Sequence, residues 1–251
     1  MDVLLAKGYS GQNPTGWLMS EKLDGVRAVW TGSEFLSRNG KSFSAPVWFA
    51  RQLPDVCLDG ELWIARGVFQ KLVGVVRKKT PVDADWEQVR FCVFDAPSAD
   101  GGFESRLDFC RSALEGCAVA EVVEHLVCCG KSHLDEVFSS LVSRGAEGVM
   151  LRKPGSAYVG KRSDVLLKYK PVDSAEAVVI GHAPGEGRHL GRLGALVCRW
   201  RDVVFNVGTG LDDGTREAPP GLGLHVSFSF QGLTDSGVPR FPVFLGVRDY
   251  E

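Results

Sequence analysis

The sequence has no uninterrupted apolar run approaching the ~18 residues that a membrane span requires. Its start, Met1-Asp2-Val3-Leu4-Leu5-Ala6-Lys7, places an acid where an export leader is basic. A cytoplasmic protein is expected as the chain stands, or a periplasmic one if a leader has been removed. There is no Cys-x-x-Cys pair: the seven cysteines, an odd number that includes the neighbours Cys128 and Cys129, fit neither a disulfide framework nor a zinc knuckle. An excess charge of one sign is also missing, the net charge being −2, so the chain taken whole carries no general pull toward nucleic acid. The exception is local, because residues 151–201 hold ten Lys+Arg against four Asp+Glu. Such a stretch is either a phosphate-binding surface or a solvated face. Low complexity and internal repeats are absent, and the thirty glycines and twelve prolines are scattered among apolar runs, which excludes collagen-like and disordered classes.

What is there reads as a turn-rich α+β chain followed by a small all-β unit. Val26–Trp30, Leu58–Ile64, Val89–Asp95, Gly148–Arg152 and Val165–Lys170 are rich in β-branched and aromatic residues and bounded by Gly, Pro, Asn or Asp, the signature of strands. Phe103, Leu107, Cys110 and Leu114 recur at helical spacing, as do Leu134, Val137, Phe138 and Leu141, with Ser132 expected to cap the second helix and Gly145 to close it. After Pro171 the pattern changes to short strands, Ala177–Gly181, Ala195–Trp200, Val203–Val207, His225–Gln231 and Val243–Val247, with no convincing helix. Five short strands in eighty residues suit an OB-type barrel. The expected domains are therefore 1–171 and 172–251.

Four segments carry the chemistry. In Glu21-Lys22-Leu23-Asp24-Gly25-Val26-Arg27, a Lys precedes a strand with a Gly that permits a tight turn. A free Lys, with pKa ≈ 10.4, is neutral in about one molecule in 2,500 at pH 7, so a nucleophilic Lys must be desolvated or set beside other cations; otherwise it is an exposed strand-edge cation. In Leu58-Asp59-Gly60-Glu61-Leu62-Trp63 the strand alternation puts Asp59 and Glu61 on one face. Glu147-Gly148-Val149-Met150 opens another strand with an acid. Two such carboxylates aimed at one Lys could hold a Mg²⁺, or they could cap strand ends in solvent. Asp164-Val165-Leu166-Leu167-Lys168-Tyr169-Lys170 places two lysines on one strand face, which is unfavourable unless an anion lies between them. Phe94 ends an apolar strand, where it either joins the core or stacks on a base. Two further patterns lead nowhere: Gly155–Arg162 lacks the Ser or Thr of a P-loop, and His182, His189 and Cys198 match no zinc spacing.

The order and distances of these segments resemble the covalent nucleotidyltransferase superfamily of ATP-dependent ligases and capping enzymes. Lys22–Gly25 resembles its first motif, Asp59–Glu61 its third, Phe91–Asp95 the base-stacking strand, Glu147–Val149 its fourth and Leu166–Lys170 its fifth. Ser37-Arg38-Asn39-Gly40 looks like the DNA-ligase element that grips a nick 5′-phosphate, and Arg240–Arg248 looks like the end of ligase barrels. The chain is most similar to minimal two-domain ATP-dependent DNA ligases of the bacterial Lig E type, on Ser20–Val29, Ser44-Ala45-Pro46, Leu58–Trp63 and Arg90–Asp95. Unlike them, it is expected to have no export leader, and its C-terminal motif, read to Arg248-Asp249-Tyr250-Glu251, is expected to lack the usual trailing basic residues.

The resemblance implies an adenylation domain with mainly antiparallel sheets followed by an OB-fold domain, acting as a monomer on nicked duplex DNA with ATP and Mg²⁺ or Mn²⁺. It implies Lys22 as the residue that becomes adenylated, with Asp24, Lys168 and Lys170 as catalytic partners. Around the nucleotide it places Ser20, Glu21, Arg27, Glu61, Phe94, Glu147, Arg162, Lys168 and Lys170, with Phe94 stacked on adenine, Glu147 at the metal and Glu61 at the ribose or the metal. Arg27, Arg38 and Arg162 would meet ribose or DNA phosphates. RNA end joining, GTP-dependent mRNA capping and a catalytically silent nucleic-acid-binding module are the alternatives. The two-residue connection Arg201-Asp202, between the apolar runs ending at Trp200 and starting at Val203, leaves no room there for the DNA-encircling latch of the viral enzymes.

Overall fold

The computed structural model of the protein describes residues 2–234 and 236–248. The chain divides into two compact units at Tyr169/Lys170.

Two sheets make up the first unit, with strands numbered in chain order. One runs, in space, β1 (Leu5–Gly8), β11 (Arg162–Tyr169), β10 (Val149–Arg152), β2 (Leu18–Glu21), β9 (Leu126–Val127). The other runs β5 (Ser42–Phe43), β4 (Phe35–Ser37), β3 (Val26–Trp30), β6 (Leu58–Trp63), β7 (Arg90–Asp95), β8 (Ala120–Val122). Pairing is antiparallel except for β1 with β11 and β7 with β8, as expected of an α+β unit with mainly antiparallel sheets. Helices α1 (Val47–Ala50), α2 (Phe69–Val76), α3 (Asp83–Trp86), α4 (Phe103–Ala113) and α5 (Lys131–Ser143) are interleaved with them. Of these, α2 packs on β3 and β6, α4 on β7 and β8, and α5 on β10. The larger core buries Trp30, Phe35, Phe49, Trp86 and Phe91 with Leu58 and Leu62, its rings meeting edge to face: Phe35 lies 5.0 Å from Phe91 and Phe49 lies 4.9 Å from Trp86.

Ser132 does not cap α5. The helix starts one residue earlier, after Gly130, whose φ of 144° is open to glycine and strained for other residues, and Ser132 is its second residue. Gly145 does follow the helix end in the left-handed conformation expected of it, at φ 84°.

In the second unit the five expected strands form one antiparallel sheet in the order β14 (Val203–Val207), β13 (Leu193–Trp200), β12 (Asp173–Pro184), β15 (His225–Phe230), β16 (Val243–Arg248). The sheet curls: Thr209, just past β14 at one edge, bridges Val243 on β16 at the other, and the Phe244 amide donates to the Thr209 carbonyl at 2.9 Å. Arg201 and Asp202 form a two-residue hairpin turn, Arg201 taking a positive φ of 53°. Helix is present where none was expected. α6 (Asp213–Glu217) is capped by Asp212, which accepts from the Thr215 amide at 2.7 Å, and its buried Arg216 donates to the carbonyls of Leu193, Gly194 and Gly208. One turn is too short to leave a periodic signal, although the Asp-Asp-Gly-Thr run was readable as a cap. The last residues of the C-terminal segment, 249–251, lie outside the described residues.

Asp95, fully buried at the end of β7, holds the two sheets of the first unit together. Arg106 of α4 donates to it from Nε at 2.7 Å, and Arg152, at the end of β10, from Nη2 at 2.5 Å. Removing the carboxylate leaves two buried guanidiniums without their counter-charge, which typically costs about 3–5 kcal/mol. Asp95→Ala is therefore expected to lose stability of that order in urea unfolding; a loss below about 1 kcal/mol would show that the pairing is incidental.

Candidate active site

The Lys22–Gly25 segment crosses from β2 in one sheet to β3 in the other. Lys22 thus follows one strand and stands at the junction of the two sheets. The register of β2 against β10 pairs Glu21 with Val149, and the Lys22 amide continues the ladder by donating to the Gly148 carbonyl at 2.9 Å. That register sets Lys22 beside Glu147, and Nζ donates to Oε2 at 2.5 Å with both side chains about four-fifths buried. The glycines of both motifs have steric reasons. A Cβ on Gly25 would stand 2.4 Å from the Leu62 carbonyl and 2.7 Å from Cγ of Glu61, and one on Gly60 would stand 2.7 Å from the Cys92 carbonyl.

A pocket of about 1000 Å³ opens at this junction. Of the residues singled out from sequence, it gathers Ser20, Glu21, Lys22, Arg27, Arg38, Glu61, Phe94 and Lys168 in its wall, and Glu147 is bonded to Lys22. Asp24 stands between two wall residues, Leu23 and Gly25. Arg38 comes from the β4–β5 hairpin, whose turn is closed by the Gly40 amide on the Ser37 carbonyl at 2.8 Å. Arg162 lies outside the wall, its Nη1 donating to the Ala6 carbonyl. Lys170 follows the end of β11 by one residue and begins the second unit.

Two predicted contacts are already engaged within the protein. Arg27 grips Asp59 with Nε and Nη2 at 3.0 and 2.6 Å, gives Nη1 to the Leu4 carbonyl at 2.7 Å, and lies over the Phe94 ring at 5.3 Å. Asp59, fully buried, also accepts from the Tyr158 hydroxyl at 2.7 Å. Its carboxyl is pushed up by burial, against the pull of Arg27. Glu21 is held by a bidentate contact from Arg66 at 2.7 and 2.8 Å. Spacing gave no sign of Tyr158 or Arg66, since their partners lie 99 and 45 residues away.

The pocket also has a side that the motifs did not identify, formed in part by Phe103, His125, Met150 and Arg152. Burial pushes the His125 imidazole down to about 4, and its Nδ1 lies 2.8 Å from the Val123 carbonyl, so the neutral ring donates there and keeps Nε2 as an acceptor. Arg152 has one guanidinium nitrogen, Nη1, with no hydrogen-bond partner among the described residues.

Glu61 and Glu147 bear on the metal question. Burial foremost, together with the charges of Glu147 and Asp59, raises the Glu61 carboxyl to about 8 despite Lys22 and Arg27. A buried carboxyl in that condition, with Glu147 and Asp59 close by, is one whose ionised form a further cation would favour, so a divalent ion fits. Among the described residues no three His, Cys, Asp or Glu side chains gather. A divalent ion bound here would draw one or two carboxylates from the protein and the rest from phosphate and water, the coordination that Mg²⁺ favours.

This junction pocket, with its lysine and carboxylates, sits in a chain that matches the family profile of the ATP dependent DNA ligase domain over residues 6–170 and that of the DNA ligase OB-like domain over residues 184–248. The protein belongs to the ATP-dependent DNA ligase family. Within that family it is similar to a DNA ligase of Haemophilus influenzae, 35% identical over 245 residues that cover 97% of this chain and 91% of the relative. It is also similar to a solved Lig E DNA ligase, 38% identical with a TM-score of 0.84 over 99% of both chains. The Chlorella virus DNA ligase-adenylate shares the fold at 26% identity and a TM-score of 0.58, covering 100% of this chain and 99% of that one. The adenylation and OB-fold units, and dependence on ATP, follow from these matches.

Because the folded-state pKa of Glu61 lies above its ordinary value, the native state binds the extra proton between pH ~4.5 and ~8. The stability it contributes is full below the lower value and is lost as pH rises through about 8. Glu61→Gln should flatten this slope, so that between pH 6 and pH 9 the wild type loses more Tm than the variant. Parallel melting curves across that range would contradict the assignment.

Proposed function

We propose that the junction pocket carries the three phosphoryl transfers of nick sealing, with Lys22 as the residue that becomes covalently adenylated. The observation that carries the reading is that Lys22, in the wall of a pocket of about 1000 Å³, is bonded to Glu147. In the first transfer the Lys22 amine attacks the α-phosphorus of ATP: an N–P bond forms, the bond to pyrophosphate breaks, and the ammonium's proton is directed at Glu147. In the second, an oxygen of the nick 5′-phosphate displaces the lysine, so AMP passes to DNA and Lys22 is restored. In the third, the 3′-hydroxyl attacks that phosphate and AMP leaves. Each step moves charge onto phosphate oxygens, so catalysis is positioning plus electrostatic stabilisation.

Phe94, held under Arg27, stacks on the adenine, while the unused Arg152 N–H and the His125 acceptor suit a ligand with both donors and acceptors. Lys168, and Lys170 after it, neutralise the α-phosphate, and Ser20, Glu21 and Asp24 shape the lysine's turn. Arg27 orders Asp59 and Phe94 and reaches the ribose only at the pocket wall. Arg38, and Arg162 from its outer position, meet DNA phosphates. Glu61 and Glu147 hold a Mg²⁺ or Mn²⁺ ion, which when bound offsets the charge of the phosphates. The seven free cysteines support a reducing compartment such as the cytoplasm.

Lys22→Ala should transfer no label from α-labelled ATP, and Glu147→Ala should lose about 10²-fold or more in sealing, the scale set by removing one transition-state contact. EDTA should silence the wild type. Label transfer by the alanine variant, or full sealing in EDTA, would overturn the reading.

A further inference from the structure

Helix α2 divides its surface between two environments. Leu72, Val75 and Val76 are buried, while Phe69 and Val73, one turn apart, join Val76 in the wall of the active-site pocket. The helix ends there: the Arg77 amide donates to the Val73 carbonyl at 3.1 Å and the Lys78 amide to that of Val75 at 3.3 Å. The three residues that follow, Arg77, Lys78 and Lys79, are exposed, yet all belong to the same pocket wall. Arg38 and Lys41, from the β4–β5 hairpin, belong to it as well.

Five cations thus share the wall of one opening, and the only carboxylate salt-bridged to any of them among the described residues is Asp85, on Lys78. Basic residues after a helix are favoured by its dipole, but that effect fades within the last turn and is worth a few tenths of a kcal/mol to about 1 kcal/mol. It gives no reason for Lys41 and Arg38, on a separate hairpin, to stand in the same wall. Like charges gathered in this way repel unless a polyanion lies among them.

We propose that Arg77-Lys78-Lys79 is a second phosphate-gripping element for the DNA substrate, working with Arg38 and Lys41 at the rim of the active-site pocket. The proposal rests on the nick-sealing reading. DNA is favoured over the triphosphate of ATP because the cations are spread over two chain segments and are solvent-exposed. That fits an extended anion that arrives from outside and stays partly hydrated. Phe69 and Val73, in the same wall, offer an apolar surface for the sugars between phosphates.

The test is binding of a nicked duplex ending in a 3′-dideoxynucleotide, without ATP, across 50–200 mM salt, for the wild type and the double variant Arg77→Ala/Lys79→Ala. Each neutralised phosphate contributes about 0.9 to the slope of log K against log salt. The variant's slope should therefore be shallower by about 1.8, with weaker binding at every salt concentration and an unchanged Tm. Exchanging the two side chains, Arg77→Lys/Lys79→Arg, should restore the wild-type slope. An unchanged slope would overturn the proposal, and if it came with a raised KM for ATP in lysine adenylation the cations would belong to the triphosphate. Failure of the underlying reading shows separately, as a wild type that does not seal the same nick carrying a 3′-hydroxyl when given ATP.

Discussion

The contact between the Lys22 ammonium and the Glu147 carboxylate joins residues 125 positions apart, and it exists only because β2 and β10 are in register. A shift of one residue in that pairing would turn each side chain to the opposite face of the sheet. The pairing is in turn supported from below by the small core of Met19, Leu134, Val149, Leu151 and Leu167, which packs α5 against this sheet. Placing a lysine at a sheet junction, four-fifths buried, partly strips it of water, while the Glu147 carboxylate bonded to it keeps the charge from being isolated. This is a compromise between a lysine too well solvated to react and a buried charge too costly to fold.

The charged groups around it divide into two kinds. Asp95 with Arg106 and Arg152, and Asp59 with Arg27 and Tyr158, are clusters whose carboxylates are paired internally. They fix the ends of β6 and β7, and so the places of Glu61 and Phe94. Glu61 itself belongs to the other kind: a carboxyl driven up to about 8 by burial, with Lys22 and Arg27 only partly offsetting it. The rim lysines and arginines are its mirror image, cations with few carboxylates. Together they leave a pocket whose internal ion pairs are fixed on one side and whose exposed cations are mostly without carboxylate partners among the described residues on the other.

Much of this was legible in the sequence, and the reasons differ by element. Val26–Trp30 and Val203–Val207 coincide with their expected bounds because β-branched runs between turn residues are the strongest local signal a strand gives. The Lys-x-Asp-Gly and Asp-Gly-Glu segments were readable because their glycines answer to a backbone approach that excludes every other residue. Short helices such as α6 were not, since one turn has no period. Nor were Arg66, Tyr158 and the basic end of α2, because nothing in local spacing reports which side chains a distant strand will bring alongside. Roles for Arg27 and Glu21 read from motif position alone missed that both are already paired, a fact that only the three-dimensional neighbours supply.

The central claim is that one lysine among those near the pocket is the covalent carrier. Incubating the unmodified wild-type protein with ATP and a divalent ion, digesting it, and locating the AMP adduct by tandem mass spectrometry addresses that claim directly. The account predicts a single acid-labile AMP on the peptide that contains Lys22, with Lys168, Lys170, Lys41 and Lys79 unmodified. An adduct on any of those lysines in place of Lys22, or the recovery of no adduct from protein that seals nicks, would contradict it.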